Sequence, residues 1–155
     1  MSRGLQTDKI ATRFRKAGQI VTEIAFCEET LPDVMAGEGS STDARHFAIM
    51  LLVGMVSQAR KFGRQPDVVF GDSLNAHDFQ KVRDLANRAA TEQQEEAAEF
   101  DLVEFSPEQI LERWQTEARR IVKVYWSAIK AAADIIEENR SPSAEEVRQF
   151  INDIG

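Results

Sequence analysis

Apolar residues recur at intervals of three and four along most of the chain, a pattern typical of amphipathic helices. The first such stretch covers residues 8–28, and the second begins at a capping residue within 41–43 and ends near Phe62 and Gly63. The second helix is apolar around most of its circumference, so we expect it to lie at the centre of the fold. Gly54 inside it is unfavourable for an isolated helix, which predicts close approach of a neighbouring helix there.

The second half of the chain predicts three more helices. The third begins near Asn75, the fourth covers residues 106–139, and the last opens at Ser143. The fourth and the last each start with Ser followed three residues later by Gln or Glu, which is the spacing of a capping box. Residues 30–42 and 64–74 contain proline and glycine and are predicted as loops, with a short strand as an alternative for 68–70.

These elements predict a mainly α fold with little or no sheet. We expect a single domain of about five helices over residues 1–155, in which residues 1–7 form a flexible tail. The composition agrees with a globular chain, because 43% of the 155 residues are hydrophobic and 29% are charged. This length is sufficient for one domain with its own core.

Composition also limits where the protein works. The longest apolar run, residues 47–56, is too short to span a bilayer, and no signal-peptide core follows Met1. The single cysteine, Cys27, excludes an internal disulfide framework and favours a reducing compartment. We therefore expect a cytoplasmic protein without a membrane span.

The charges are acidic overall and unevenly placed. Lys and Arg number 19 against 26 Asp and Glu, which gives a net charge of −7 and argues against nucleic acid as a partner. Residues 92–104 contain only acidic charges, which is typical of a solvated helix face. The first helix instead carries Lys9, Arg13, Arg15 and Lys16, so we expect its surroundings to be locally basic.

Motifs for catalysis or cofactor binding are absent from the sequence. The only histidines are His46 and His77, and neither lies in a zinc-binding His or Cys pair. No Gly-x-Ser-x-Gly or phosphate-binding glycine motif occurs. We expect no cofactor and no resident metal. An alternative is an active hydrolase whose relocated metal site combines His46, His77 and Asp78.

The order and spacing of the helices resemble the peptidase domain of FtsH-type ATP-dependent zinc metalloproteases, over roughly residues 8–154. That family carries an aromatic residue followed by His-Glu-Ala-Gly-His, and the matching residues here are 14–19, Phe-Arg-Lys-Ala-Gly-Gln. The stretch 48–63 is similar to its Leu-x-Gly-x-x-Ala-Glu segment, with Leu52, Gly54 and Ala59 in similar places. The residues 143–147 resemble the start of the family's last helix.

The resemblance implies that the zinc site is degenerate. Arg15 and Gln19 stand where the family has its zinc-binding histidines, and Lys16 stands where it has the general-base glutamate. Asp78, in the segment 75–79, matches the aspartate that is the third zinc ligand and is kept. Arginine has no lone pair to donate to a metal, and lysine cannot act as a carboxylate base. The resemblance therefore implies a pseudoenzyme.

A carboxylate that loses its metal needs another positive charge if it is partly buried. We therefore consider a bidentate pair between Arg15 and Asp78, with Gln19 hydrogen-bonding nearby. The alternative is that Arg15 is simply exposed.

The sequence thus favours a non-catalytic, metallopeptidase-like protein that binds a polypeptide or protein partner. The two alternatives are the active hydrolase described above and a helical interaction domain that forms a homo-oligomer.

Overall fold

The computed structural model describes residues 2–27, 40–65, 70, 75–100, 106–138 and 140–153. These residues form six helices: α1 (Ser2–Cys27), α2 (Ser40–Phe62), α3 (Ala76–Phe100), α4 (Pro107–Val124), α5 (Trp126–Glu137) and α6 (Ala144–Asn152). No strand occurs within these ranges, so the prediction of a single all-α domain is confirmed. None of the helices is long and apolar enough, over its described residues, to cross a membrane.

Helix α2 lies at the centre of the fold, as its apolar circumference predicts. From residue 48 to residue 59 every residue except Met50 is buried. The helix packs against α1, α3 and α4, while α5 and α6 pack against α1. Because α2 has neighbours on several sides, it needs no polar stripe, and its apolar residues form the middle of the core.

Helices α1 and α2 cross very closely because each contributes a glycine to the contact. A Cβ atom on Gly54 would lie 2.9 Å from the carbonyl oxygen of Arg15 and 3.1 Å from Cγ of Gln19. A Cβ atom on Gly18 would lie 2.5 Å from Oγ of Ser57. The prediction that Gly54 allows a close helix contact is confirmed.

The long fourth helix of the sequence pattern is divided in two. Tyr125 separates α4 from α5, and its φ of −103° and ψ of 17° depart from helical values. Its N–H still donates to the carbonyl of Ile121 at 2.8 Å, and its own carbonyl accepts from Ile129 at 2.9 Å. The break is therefore confined to the backbone angles of one residue, which apolar periodicity does not reveal. Asn139, the predicted end, lies outside the described residues.

Other boundaries agree with the sequence where the signal is local. Both predicted capping boxes are present, at the starts of α4 and α6.

Two other expectations differ from the structure. Helix α1 begins at Ser2, so the residues that we expected to form a tail are helical as far as they are described; no proline precedes Asp8 to stop the helix. Of the alternative strand at 68–70, only Phe70 is described, and its backbone is helical.

Candidate functional site

Arg15 and Gln19, the two positions that the sequence resemblance matched to zinc ligands, lie together on one face of α1. The side chains of Arg15 and Gln19 both pass over Gly54 of α2, where a Cβ atom would lie 2.9 Å from Cγ of Arg15. Residues four apart in a helix share a face, so this pairing follows from the sequence. Glycine at position 54 therefore provides the space in which the two long side chains lie.

Asn75 brings the start of α3 into the same place. Its carbonyl accepts the N–H of Phe79 at 2.8 Å and so opens the helix, while its side chain is completely buried. The side-chain Nδ2 donates to Oε1 of Gln58 at 3.0 Å, and Oδ1 accepts from Nη1 of Arg15 at 3.4 Å. We call Arg15, Gln19, Gln58 and Asn75 the polar junction.

The polar junction connects three helices through groups that are costly to bury alone. Gln58 is only 4% exposed, and Asn75 is fully buried, so each amide needs a partner inside the protein. The hydrogen bond between them satisfies one donor and one acceptor. Arg15 adds a permanent positive charge near the amide oxygen of Asn75, and at 3.4 Å this contact is longer than a typical hydrogen bond, so the bond between Asn75 and Gln58 is the stronger one. This network fixes the start of α3 against α1 and α2.

The expected ion pair between Arg15 and Asp78 is not formed. Asp78 is half-buried in the first turn of α3, but none of the ion pairs within the described ranges joins it to Arg15. Arg15 is half-buried and contacts Asn75 instead, so the alternative of a simply exposed Arg15 does not hold either. Lys16 is exposed and takes no part in the junction. Asn75 precedes Asp78 by three residues at the helix start, and its amide is the group that reaches Arg15.

The residues of the junction do not fit a zinc ion. A guanidinium and three amides offer neither imidazole nor thiolate, and zinc sites in proteins are built mostly from those groups. Within the described residues, no three His, Cys, Asp or Glu side chains lie close enough to share a metal. The alternative site is therefore not assembled, because His46, His77 and Asp78 do not converge.

An open surface cavity of about 560 Å³ lies between α3 and α4, and Ala76 in its wall directly follows Asn75 of the junction. Its walls combine aromatic, aliphatic and polar side chains: Phe70, Ala76, Phe79, Gln80, Arg83, Leu111 and Gln115. The rings of Phe70 and Phe79 stack with centroids 4.7 Å apart, and the guanidinium of Arg83 lies 5.2 Å from the Phe79 ring. An apolar side chain of a ligand would find a preformed surface here.

Sequence reasoning missed Gln58 and Asn75, which complete the junction. Asn75 is the first residue of the segment 75–79, which contains Asp78. In the sequence, an Asn just before a helix start indicates only a helix cap. Gln58, next to Ser57, interrupts the apolar pattern of the helix, and that irregularity is the sequence signal that points to it. No protein-family model, curated protein or solved structure matches the chain.

Proposed function

We propose that this chain is a non-catalytic protein on a metallopeptidase-like helical scaffold and that it binds a polypeptide. The observation that carries the proposal is the polar junction. At the positions that resemble the zinc ligands, Arg15 and Gln19 lie side by side over Gly54, and Arg15 is hydrogen-bonded to Asn75. A permanent cation occupies the place where the resembling enzymes need a neutral metal ligand.

A substitution in the second helix is also consistent with the loss of hydrolytic activity. The family's Leu-x-Gly-x-x-Ala-Glu segment, which residues 48–63 resemble, ends in a glutamate, and this stretch of the chain contains no acidic residue. Gln58 is an amide whose oxygen accepts a hydrogen bond from Asn75. The junction therefore supports packing and not hydrolysis.

The cavity between α3 and α4 supports the binding part of the proposal. It begins at Ala76, directly after Asn75, and it is lined by Phe79 and Leu111. Its volume is about 560 Å³ and it is open to solvent, so a side chain of an extended polypeptide can enter it from the surface. We expect it to take an apolar side chain of an unfolded or extended polypeptide, while Gln80 and Gln115 at its wall hydrogen-bond to the backbone of that polypeptide.

The catalytic part of the proposal is tested by restoring the lost groups. The wild-type chain, purified without metal, is expected to contain no stoichiometric zinc and to leave unfolded casein uncleaved. The triple variant Arg15→His, Lys16→Glu, Gln19→His is expected to bind zinc, and adding Asp78→Ala is expected to abolish that binding. A folded triple variant that binds no zinc would contradict the metallopeptidase-like scaffold, and chelator-sensitive cleavage by the wild type would contradict the loss of activity.

The binding part is tested by filling the cavity. Ala76 is the exposed first residue of α3, so Ala76→Trp fills the opening without disturbing the core. Ala144, the exposed first residue of α6, offers a matched control in Ala144→Trp. Binding of labelled, carboxymethylated casein, followed by fluorescence anisotropy, is expected to weaken in the first variant only. Equal binding by both variants would exclude this cavity as the site.

A further inference from the structure

Positive charge is concentrated in three stretches of this acidic chain. Residues 9–22, 44–66 and 118–133 each contain four Lys or Arg residues and no Asp or Glu. Together they hold twelve of the 19 cationic residues in a chain of net charge −7. The stretches correspond to the middle of α1, most of α2, and the region around the break between α4 and α5.

The fold brings these three stretches together around Trp126. The guanidinium carbon of Arg60 lies 4.8 Å from the centre of the Trp126 ring. The ammonium of Lys61 lies 5.2 Å from the ring of Phe14, and the rings of Phe14 and Trp126 are 5.6 Å apart. The end of α2 thus places two cations over aromatic rings from α1 and α5, an arrangement in which ring and cation attract each other.

Two lysines of α4 and α5 extend this surface. Lys123 precedes Trp126 by three residues and Lys130 follows it by four, so all three lie on the same side of nearly continuous helices. Both lysines are exposed, as are Arg60 and Lys61, and Trp126 is partly exposed. We call Arg60, Lys61, Lys123, Trp126 and Lys130 the basic face.

The four cations of the basic face can pair with carboxylates of a partner. None of the four forms an ion pair within the described ranges. By contrast, Arg13 of α1 pairs with Glu137 of α5 at 3.2 Å. Asp134, one turn beyond Lys130, is the next acidic residue along α5 and ends the acid-free surface. A partly exposed tryptophan with an arginine over its ring has the composition of an interaction surface, because Trp and Arg are enriched where partners bind most strongly. The three lysines add positive charge around this pair.

We propose that the basic face binds an acidic segment of a partner polypeptide. Carboxylates of the partner pair with the four cations, and an apolar side chain between them packs on Trp126. Arg60 is held by the indole ring, so its guanidinium is already ordered for a two-point contact with a carboxylate. This inference rests on the proposed polypeptide binding and gives the partner's charge.

A polypeptide fits the basic face better than a nucleic acid does. Nucleic-acid sites neutralise roughly six to ten phosphates, whereas the basic face offers four cations. Outside the three acid-free stretches the chain has seven Lys or Arg residues against 26 Asp or Glu, so a long polyanion would be repelled beyond the patch. Screening limits that repulsion to about 8–10 Å at physiological salt, which a short acidic segment avoids.

The test uses the full chain and a fluorescein-labelled peptide in which glutamates flank one leucine and one phenylalanine. The wild type is expected to bind this peptide, less tightly at higher salt, and to bind the glutamine version poorly. The variant Lys123→Glu with Lys130→Glu is expected to weaken binding about tenfold or more, because each change replaces an attraction by a repulsion. The matched control Lys81→Glu with Arg88→Glu makes the same change of charge at exposed positions of α3 and is expected to bind like the wild type.

Three results would overturn the proposal: equal binding by the two double variants, equal binding of the glutamate and glutamine peptides, or tighter binding of a single-stranded oligonucleotide that displaces the peptide. Circular dichroism establishes that each variant is folded, since all four positions are exposed. Casein binding without binding of the acidic peptide would reject the basic face and leave the proposed function standing. If neither casein nor the peptide binds, both proposals fail.

Discussion

The α1–α2–α3 junction and the C-terminal helices α4–α6 are held in different ways. In the junction, side chains far apart in sequence meet at short distance: Arg15 and Asn75 are 60 residues apart along the chain. At the start of α6, Ser143 and Glu146 bond to each other three residues apart. The first region depends on the whole fold being in place, while the second is specified within one helical turn.

This difference indicates where the molecule tolerates change. Local caps contribute modestly and independently, because each satisfies backbone groups of its own helix end. The junction combines two glycine contacts with buried amides, so a change at one residue affects three helices together. Sites of function are commonly built from such long-range arrangements, since distant parts of the chain must supply the groups.

Gly54→Leu is expected to have the largest effect on stability. A single Cβ atom at this position already lies 2.9 Å from the carbonyl oxygen of Arg15, and a backbone atom cannot move aside without separating α1 from α2. We expect a loss of about 3 kcal/mol or more, at the upper end of overpacking effects, measured by urea unfolding. Gly54→Ala is expected to lose about 1–2 kcal/mol, because its better helix propensity offsets part of the clash.

Ser127→Leu is the matched control for that prediction. Ser127 is exposed on α5, so a leucine there adds a large side chain without a contact to displace, and we expect a change within about 0.5 kcal/mol. Equal stability of Gly54→Ala and the wild type would show that the helices can separate easily. The close crossing would then not distinguish the junction from the C-terminal helices.

Asn75→Ala is expected to have the next largest effect. It removes the amide that donates to Gln58 and accepts from Arg15, and it leaves a buried oxygen of Gln58 without that donor. The expected loss is about 2 kcal/mol, the usual penalty for an unsatisfied buried polar group. Thermal and urea unfolding both measure it.

Two further variants test whether the loss of stability in Asn75→Ala comes from the hydrogen-bond network or only from shortening a side chain. Asn87→Ala changes an exposed asparagine of α3 and is expected to be nearly neutral. Gln58→Leu combined with Asn75→Ala is expected to lose less than the sum of the two single changes, because the two amides are partners. Additive losses would mean that the hydrogen bond between them contributes nothing.

The comparison also explains which features could be predicted from sequence. The capping boxes at Ser106 and Ser143 and the central position of α2 depend on spacing or on local composition, and all were predicted. The partner of Arg15 was not, because Asn75 reaches it only after the chain has folded back beside α1. The break at Tyr125 was missed for a related reason: apolar spacing continues through it, while the backbone angles change.

Ser143→Ala is expected to cost about 1 kcal/mol, the usual contribution of a helix cap. The hydroxyl of Ser143 accepts the N–H of Glu146 at 3.1 Å, and alanine leaves that N–H to water. Urea unfolding measures the difference. Ser141→Ala, two residues earlier and exposed outside the helix, is the control and is expected to be neutral. A loss as large as that of Asn75→Ala would remove the distinction between local and long-range stabilisation.

Glu146→Gln is expected to have the smallest effect, and the effect is expected to depend on pH. The Glu146 side chain accepts hydrogen bonds from Nη1 of Arg140 at 2.7 Å and from the backbone N–H of Ser143 at 3.1 Å. The pKa of Glu146 is lowered to about 2. The hydrogen bond from Arg140 has the largest effect, and the bond from Ser143 has the next largest. The folded state therefore holds this proton less tightly than the unfolded state.

The direction of the pH dependence follows from that lowered pKa. The ionised group stabilises the fold fully above the ordinary glutamate pKa of about 4.3, and the contribution disappears as the pH falls towards the folded value of about 2. The stability gap between the wild type and Glu146→Gln should therefore close over this range, and it should be smaller at high salt because the pair is exposed. Urea unfolding at several pH values, with Glu145→Gln as the control, measures the gap. A gap that stays constant down to pH 2 would mean that the ion pair with Arg140 adds nothing to the cap, and that α6 is held at this end by neutral hydrogen bonds alone.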